Sequence, residues 1–277
     1  MTHTPTEPII SLRDVGVQFS INRRRKRSVR DLLLKGKFAA DNPGEFWPFR
    51  HVNFDIYPGE AIGVVGRNGQ GKSTLLSVIA GVLLPDEGEV TVRAGVAPLI
   101  QITGGFEPEL TGRENIKLVA GLHGMSNREI TENFDEIVEF SEVGDFLDTP
   151  FKHYSSGMKV RLAFSVVSQL SEPILLVDEV LAVGDKAFRN KCLKRIESLL
   201  SDGQTLFFVS HSEGQLRRFC ERGLYLESGE LRCDGKIDEV IERYERDMGT
   251  WVEPGIDGEF EVDAAAGVTD TGTDSLA

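Results

Sequence analysis

Apolar residues along the chain switch between two spacings. Residues 9–19 and 52–57 follow the two-residue period of a half-buried strand, as in Val52-Asn53-Phe54-Asp55-Ile56. Pro58-Gly59 then marks a turn. A short apolar run, Ala61–Val65, leads into a glycine-rich stretch and a helix-like span at Lys72–Ala80. Strand patterns recur at Val90–Arg93 and Val96–Ile100. From Thr111 to about Phe146 the period becomes helical: Ile130, Phe134, Ile137 and Val138 share a face, and Thr111 with Glu114 forms a capping-box signature. Beyond residue 155 the two patterns alternate. Helices are predicted to Leu170, to Leu200 and to about Cys220, with strands at Ile174–Val177 and Leu206–Val209 between them. Strands at Leu224–Leu226 and Leu231–Cys233 and a helix at Ile237–Met248 close the sequence of elements. This order predicts an α/β fold whose sheet is interrupted by a helical block at about 106–170.

Composition narrows the class. The 277 residues are 40% apolar and 27% charged, which suits a folded globular chain and excludes a wholly disordered one. No run approaches the roughly 20 apolar residues of a membrane span, and no secretory signal is expected at the N-terminus. Three scattered cysteines argue against a disulfide scaffold. The net charge of −13 is uneven: residues 22–37 hold eight basic residues and one acidic residue, whereas residues 250–277 hold seven acidic residues and no basic ones. A globally acidic chain is a poor general nucleic-acid binder, so no nucleic-acid partner is expected. Residues 249–277 are expected to form a disordered acidic tail.

The candidate chemistry begins at Gly66-Arg67-Asn68-Gly69-Gln70-Gly71-Lys72-Ser73, followed by Thr74. The run fits G-x-x-x-x-G-K-[ST] and sits between an apolar strand and a helix. Its glycines let successive backbone N–H groups curl around phosphate oxygens, and the helix adds its positive end. Lys72 is placed to reach the β- and γ-phosphates, and the Ser73 hydroxyl to ligate Mg²⁺. Ile174–Val177 ends in Asp178-Glu179. Asp178 is the candidate to hold Mg²⁺ through water, and Glu179 the candidate to orient and polarise the attacking water.

Tyr154-Ser155-Ser156-Gly157-Met158-Lys159-Val160-Arg161-Leu162-Ala163 resembles the signature sequence of ABC-type ATPases. With Val180-Leu181-Ala182-Val183-Gly184-Asp185 and Glu109-Leu110-Thr111-Gly112-Arg113-Glu114-Asn115, it is similar to the ATP-binding subunits of bacterial polysaccharide exporters, over about residues 9–248. The resemblance implies an α/β P-loop fold of ABC type, with a mixed sheet core, an N-terminal antiparallel β subdomain and an inserted helical subdomain. Ser155, Ser156, Gly157 and Met158 would contact ATP held by a second copy in a head-to-tail dimer; taken without the other motifs, Ser155 reads as a simple helix N-cap. The resemblance makes Asp185 the D-loop acid, His211 the γ-phosphate contact, and Gln101 a metal or water contact. Phe19 is the candidate to stack on adenine, with Phe46 or Trp47 as alternatives. Gln70 stands where relatives often have Ala and is expected to be harmless. Pro48-Phe49 is read as part of a loop.

The same resemblance implies an ATPase on the cytoplasmic face of the membrane, attached through two copies of a separate permease that exports a lipid-linked glycan. The alternatives are an ATPase of another transporter class and a non-transport ABC ATPase. A basic insertion at about 22–48 is expected near the membrane or as a solvated loop. With 29 residues after Met248, no appended carbohydrate-binding sandwich is expected.

Overall fold

The computed structural model describes residues 7–21, 44–99, 103–178 and 185–249. Strands β1 (Ile10–Ile21), β2 (Gly44–Ile56) and β4 (Glu87–Val92) form an antiparallel sheet in the order β2-β1-β4. A second sheet runs β5-β6-β7-β3-β8-β9, from β3 (Ala61–Val65), β5 (Val96–Leu99), β6 (Ile174–Val177), β7 (Thr205–Val209), β8 (Arg222–Glu227) and β9 (Glu230–Lys236). Its first five strands are parallel and β9 is antiparallel to β8. The sheet is therefore mixed, and the fold is of the predicted class.

The patterns have a packing reason. β6 and β7 are buried along their whole length, which is why they read as unbroken apolar runs rather than alternation. Leu175, Val177, Leu206 and Phe208 enter one core layer with helices α5 (Lys186–Ser201), α6 (Glu213–Phe219) and α7 (Ile237–Met248). Ile174, Leu176, Phe207 and Val209 enter the other, shared with the antiparallel sheet and α1 (Lys72–Ile79). The helical block of α2 (Gly112–Leu122), α3 (Asn127–Ser141) and α4 (Ser156–Val167) has its own core around Ile116, Val119, Ile137 and Leu162. Helix α4 belongs to two layers. Leu162 and Val166 face the helical core, while Ala163, Phe164 and Val167 face the main one.

Several boundaries differ from the sequence reading. The helical stretch after Thr111 is two helices, because a second capping box, Ser126 with Glu129, starts α3 after the turn at Gly124. Helix α4 ends at Val167, short of Leu170. Strand β2 begins at Gly44, so residues 44–48 of the expected insertion are strand. Pro48 and Phe49 accordingly sit in a strand rather than a loop, both of them buried and Phe49 fully so. The remaining basic segment, the acidic tail from residue 250, Gln101, Glu179 and Val180–Gly184 lie outside the described residues.

Candidate functional site

The carboxyl ends of the parallel strands converge on one edge of the molecule. The glycine-rich run follows β3, Asp178 follows β6 and His211 follows β7. Strand β7 lies between β6 and β3, so Asp178 and the loop flank it. Strand β3 lies between β7 and β8 in the parallel part of the sheet, and ligands collect beyond the carboxyl ends of such strands in open α/β sheets.

Two glycines make the loop possible. Gly66 has φ +148°, and a Cβ there would lie 2.3 Å from the Leu226 carbonyl oxygen. Gly71 has φ +88°, and its Cβ would meet the Pro48 carbonyl oxygen at 2.9 Å. Any larger residue pushes the loop off β8 or β2. Gly71 also N-caps α1 with no side-chain bond, and no acidic residue sits in the first turn of α1. The N-terminal amides and helix dipole there favour an anion. Lys72 Nζ, buried, donates to the carbonyls of Gly66 at 2.6 Å and Arg67 at 3.0 Å, which folds the loop over its own ammonium group.

An open cavity of about 530 Å³ lies over this helix end, lined by Asn68, Gly69, Gly71, Lys72, Ser73, Thr74 and Asp178, with Phe19, Phe46 and Pro48. The two phenylalanines face each other across β1 and β2 as register partners. They are 42% and 44% exposed, which is unusual for large apolar rings and leaves their faces open to the cavity. Trp47 is not among the lining residues and instead lies under the Arg50 guanidinium, 4.4 Å from the ring centroid. Ser73 and Asp178 both line the cavity and offer hard oxygen donors, a donor chemistry that suits Mg²⁺.

Other candidates stand apart. Gly66, Arg67 and Gln70 shape the loop without lining the cavity. The Gln70 side chain accepts the Ser228 N–H at 2.5 Å, a contact the sequence reading did not foresee. His211 is exposed beyond the end of β7 and does not line the cavity. Ser155 N-caps α4, its Oγ accepting the Met158 N–H at 3.2 Å, and Ser156 and Gly157 open the helix with no acidic residue in its first turn. Asp185 N-caps α5 by accepting the Phe188 N–H at 2.9 Å, and Arg161 of α4 bridges Asp185 and Glu142. The Phe188 N–H, followed by Arg161, holds the Asp185 carboxyl below the usual carboxylate range. One side chain thus ties the signature helix to the segment after the second motif and to the end of α3. Asn115, fully buried, accepts the Glu107 N–H and donates to the carbonyls of Glu107, Leu110 and Thr111, which fixes the turn before α2. Burial pushes the Cys192 and Cys220 thiols up to about 12, so neither supplies a thiolate at neutral pH.

Comparison with known proteins places this geometry. A family model described as ABC transporter matches residues 49–182. The O-antigen export system ATP-binding protein RfbB of Klebsiella pneumoniae is 41% identical over 244 residues, covering 87% of this chain and 99% of that protein. The ABC transporter protein AbcA of Aeromonas salmonicida is 40% identical, covering 87% of this chain and 77% of that protein. The teichoic acids export ATP-binding protein TagH of Listeria innocua is 38% identical, covering 85% and 69%. Among solved structures, the dimeric ATP-binding cassette MJ0796 bound to ADP and Pi superposes with a TM-score of 0.65 at 24% identity, covering 82% of this chain and 98% of that one, a likeness of fold alone. Among the described residues, no helix is long and apolar enough to cross a membrane.

Proposed function

We propose, from the premise that this chain belongs to the ABC transporter family, that it is the ATP-binding and ATP-hydrolysing subunit of a polysaccharide export system. The observation that carries the reading is the cavity that unites the α1 N-terminus, Lys72, Ser73 and Asp178 with two exposed aromatic rings. A nucleoside triphosphate has the matching shape, with an anionic end for the amides and Lys72 and a flat base for Phe19 or Phe46. The export role rests on the relatives, which are named for O-antigen and teichoic acid export.

In this reading Lys72 leaves the Gly66 and Arg67 carbonyls for the β- and γ-phosphates. Ser73 and Asp178 would hold Mg²⁺, which neutralises phosphate charge when bound. Glu179 orients and polarises the attacking water, Gln101 reaches the metal or the water, and His211 contacts the γ-phosphate. Ser155–Met158, at the start of α4, close the site of a second copy in a head-to-tail dimer, and Asp185 borders that interface. Closure on ATP moves a separate permease, in two copies, at the cytoplasmic face of the membrane, and hydrolysis resets it. The cargo class is a lipid-linked glycan.

Glu179→Gln tests the assignment. The variant is expected to bind ATP, retain it and favour the dimer while turnover is abolished, read by phosphate release and size-exclusion chromatography. Wild-type phosphate release from this variant overturns the role given to Glu179.

A further inference from the structure

The phosphate end and the base end of the cavity come from different sheets. The glycine-rich loop follows β3 of the mixed sheet, whereas Phe46 and Pro48 belong to β2 of the antiparallel one. The Ser228-Gly229 turn between β8 and β9 touches both. Its Ser228 N–H donates to Gln70 Oε1 of the loop at 2.5 Å, and its Gly229 carbonyl accepts the Arg50 N–H of β2 at 2.8 Å. Ser228 has φ +51° and Gly229 φ +81°, so two consecutive residues hold the left-handed conformation of a two-residue hairpin turn. A non-glycine residue held there is a strained position that its surroundings must impose. Gly229 is also packed closely under β2, where an added Cβ would lie 3.3 Å from the Trp47 carbonyl oxygen.

We propose that Gln70 is a positioning residue: through the Ser228-Gly229 turn it ties the phosphate loop to the strand carrying Phe46 and Pro48, so that both ends of the cavity hold their spacing together. The three-part chain is Gln70, the turn, and Arg50 of β2, and its last link stands two residues from Pro48. An alanine at position 70 has no acceptor for the Ser228 N–H, and this link between loop and turn is lost. A methionine keeps the length of the side chain and also lacks the amide oxygen. The inference rests on the nucleotide reading of the cavity. It predicts reciprocity: whatever the turn contributes to nucleotide affinity, nucleotide contributes equally to the turn.

The experiment measures Mg-ATP affinity by calorimetry and hydrogen exchange of the Ser228 amide, on the full chain, for wild type, Gln70→Ala and Gln70→Met. In wild type, saturating Mg-ATP is expected to slow Ser228 exchange by about tenfold. In both variants Ser228 is expected to exchange fast with or without nucleotide, and the Kd to rise by about two- to tenfold, the range of one hydrogen bond. A purely structural role lowers melting temperature without removing the nucleotide dependence of Ser228 exchange, and that result overturns the proposal. A loss in Gln70→Ala that Gln70→Met restores also overturns it, because bulk rather than the acceptor is then responsible. If wild type binds Mg-ATP and both variants match it, this inference fails alone. If wild type binds no Mg-ATP, the nucleotide reading fails.

Discussion

Four helix N-termini in this molecule divide into two kinds. Helices α2 and α3 are closed by their own side chains: Thr111 with Glu114 and Ser126 with Glu129 form complete capping boxes. Helices α1 and α4 carry no acidic residue in the first turn, and α1 has no side-chain cap at all. A helix start leaves four amides without an intrahelical partner, and a carboxylate three residues in is a ready way to satisfy them. The same carboxylate repels phosphate. The ends that keep negative charge away are those of the glycine-rich loop and of the signature segment, which the nucleotide reading assigns to anions. The two of these four that use it start α2 and α3, where the task is to hold those helices in place.

The sharpest way to break the contrast is to make α1 resemble α2. Thr74 stands at the third position of α1 and lines the cavity. Thr74→Glu supplies a carboxylate that favours the helix start but faces the phosphates. One unit charge about 5 Å from another costs about 3 kcal/mol at an effective dielectric of 20. ATP affinity is expected to fall by more than about 100-fold while the melting temperature holds or rises. Titration calorimetry beside thermal unfolding reads both, and wild-type affinity would show that α1 does not face the phosphates.

The corresponding change in α4 is Met158→Glu, which completes Ser155-x-x-Glu and so a capping box. If Ser155–Met158 serve only to start α4, the variant is a mild stabiliser with normal activity. On the split-site reading, steady-state ATPase activity is expected to fall by about tenfold or more, while a single chain binds ATP within about twofold of wild type. Phosphate release against chain concentration distinguishes the two, because only the split site requires a second copy.

How far the residues themselves revealed these differences varies. Strands β6 and β7 and helix α7 were legible because burial on both faces, or on one stripe, writes itself into apolar spacing. The Gly66–Ser73 run was legible because its chemistry is local, each residue acting within a few positions of its neighbours. Pro48 and Phe49 were misread because the signal for their strand comes from outside their own segment: β2 pairs with β1 across the intervening residues and packs Pro48 against Gly71. The Gln70 contact was out of reach for a related reason. Its partner Ser228 is 158 positions away, and a spacing rule sees only the loop in which Gln70 sits. Local chemistry could be read from the chain, but contacts joining the two sheets could not.

The capping boxes of the helical block should yield the smallest effect, and that smallness is informative. Thr111→Ala removes the acceptor for the Glu114 N–H and the hydroxyl that donates to the Glu114 carboxylate. Loss of such a cap costs about 1 kcal/mol, or about 2–4 °C in melting temperature for a domain of this size. The Thr111 backbone N–H, then its hydroxyl, holds the Glu114 carboxyl below its ordinary 4.5. A depressed carboxylate contributes its stability in full above that value and loses it as pH falls through the lower, folded value. The gap in melting temperature between wild type and Thr111→Ala is therefore expected at neutral pH and should narrow below about pH 4.5, since the protonated carboxyl has less to offer either protein. ATP affinity at neutral pH should be that of wild type, because the N-terminus of α2 does not line the cavity. A gap that persists unchanged into acid would mean that the carboxylate contributes nothing to closing α2, and the division between helix ends that use negative charge and those that exclude it would lose its first example.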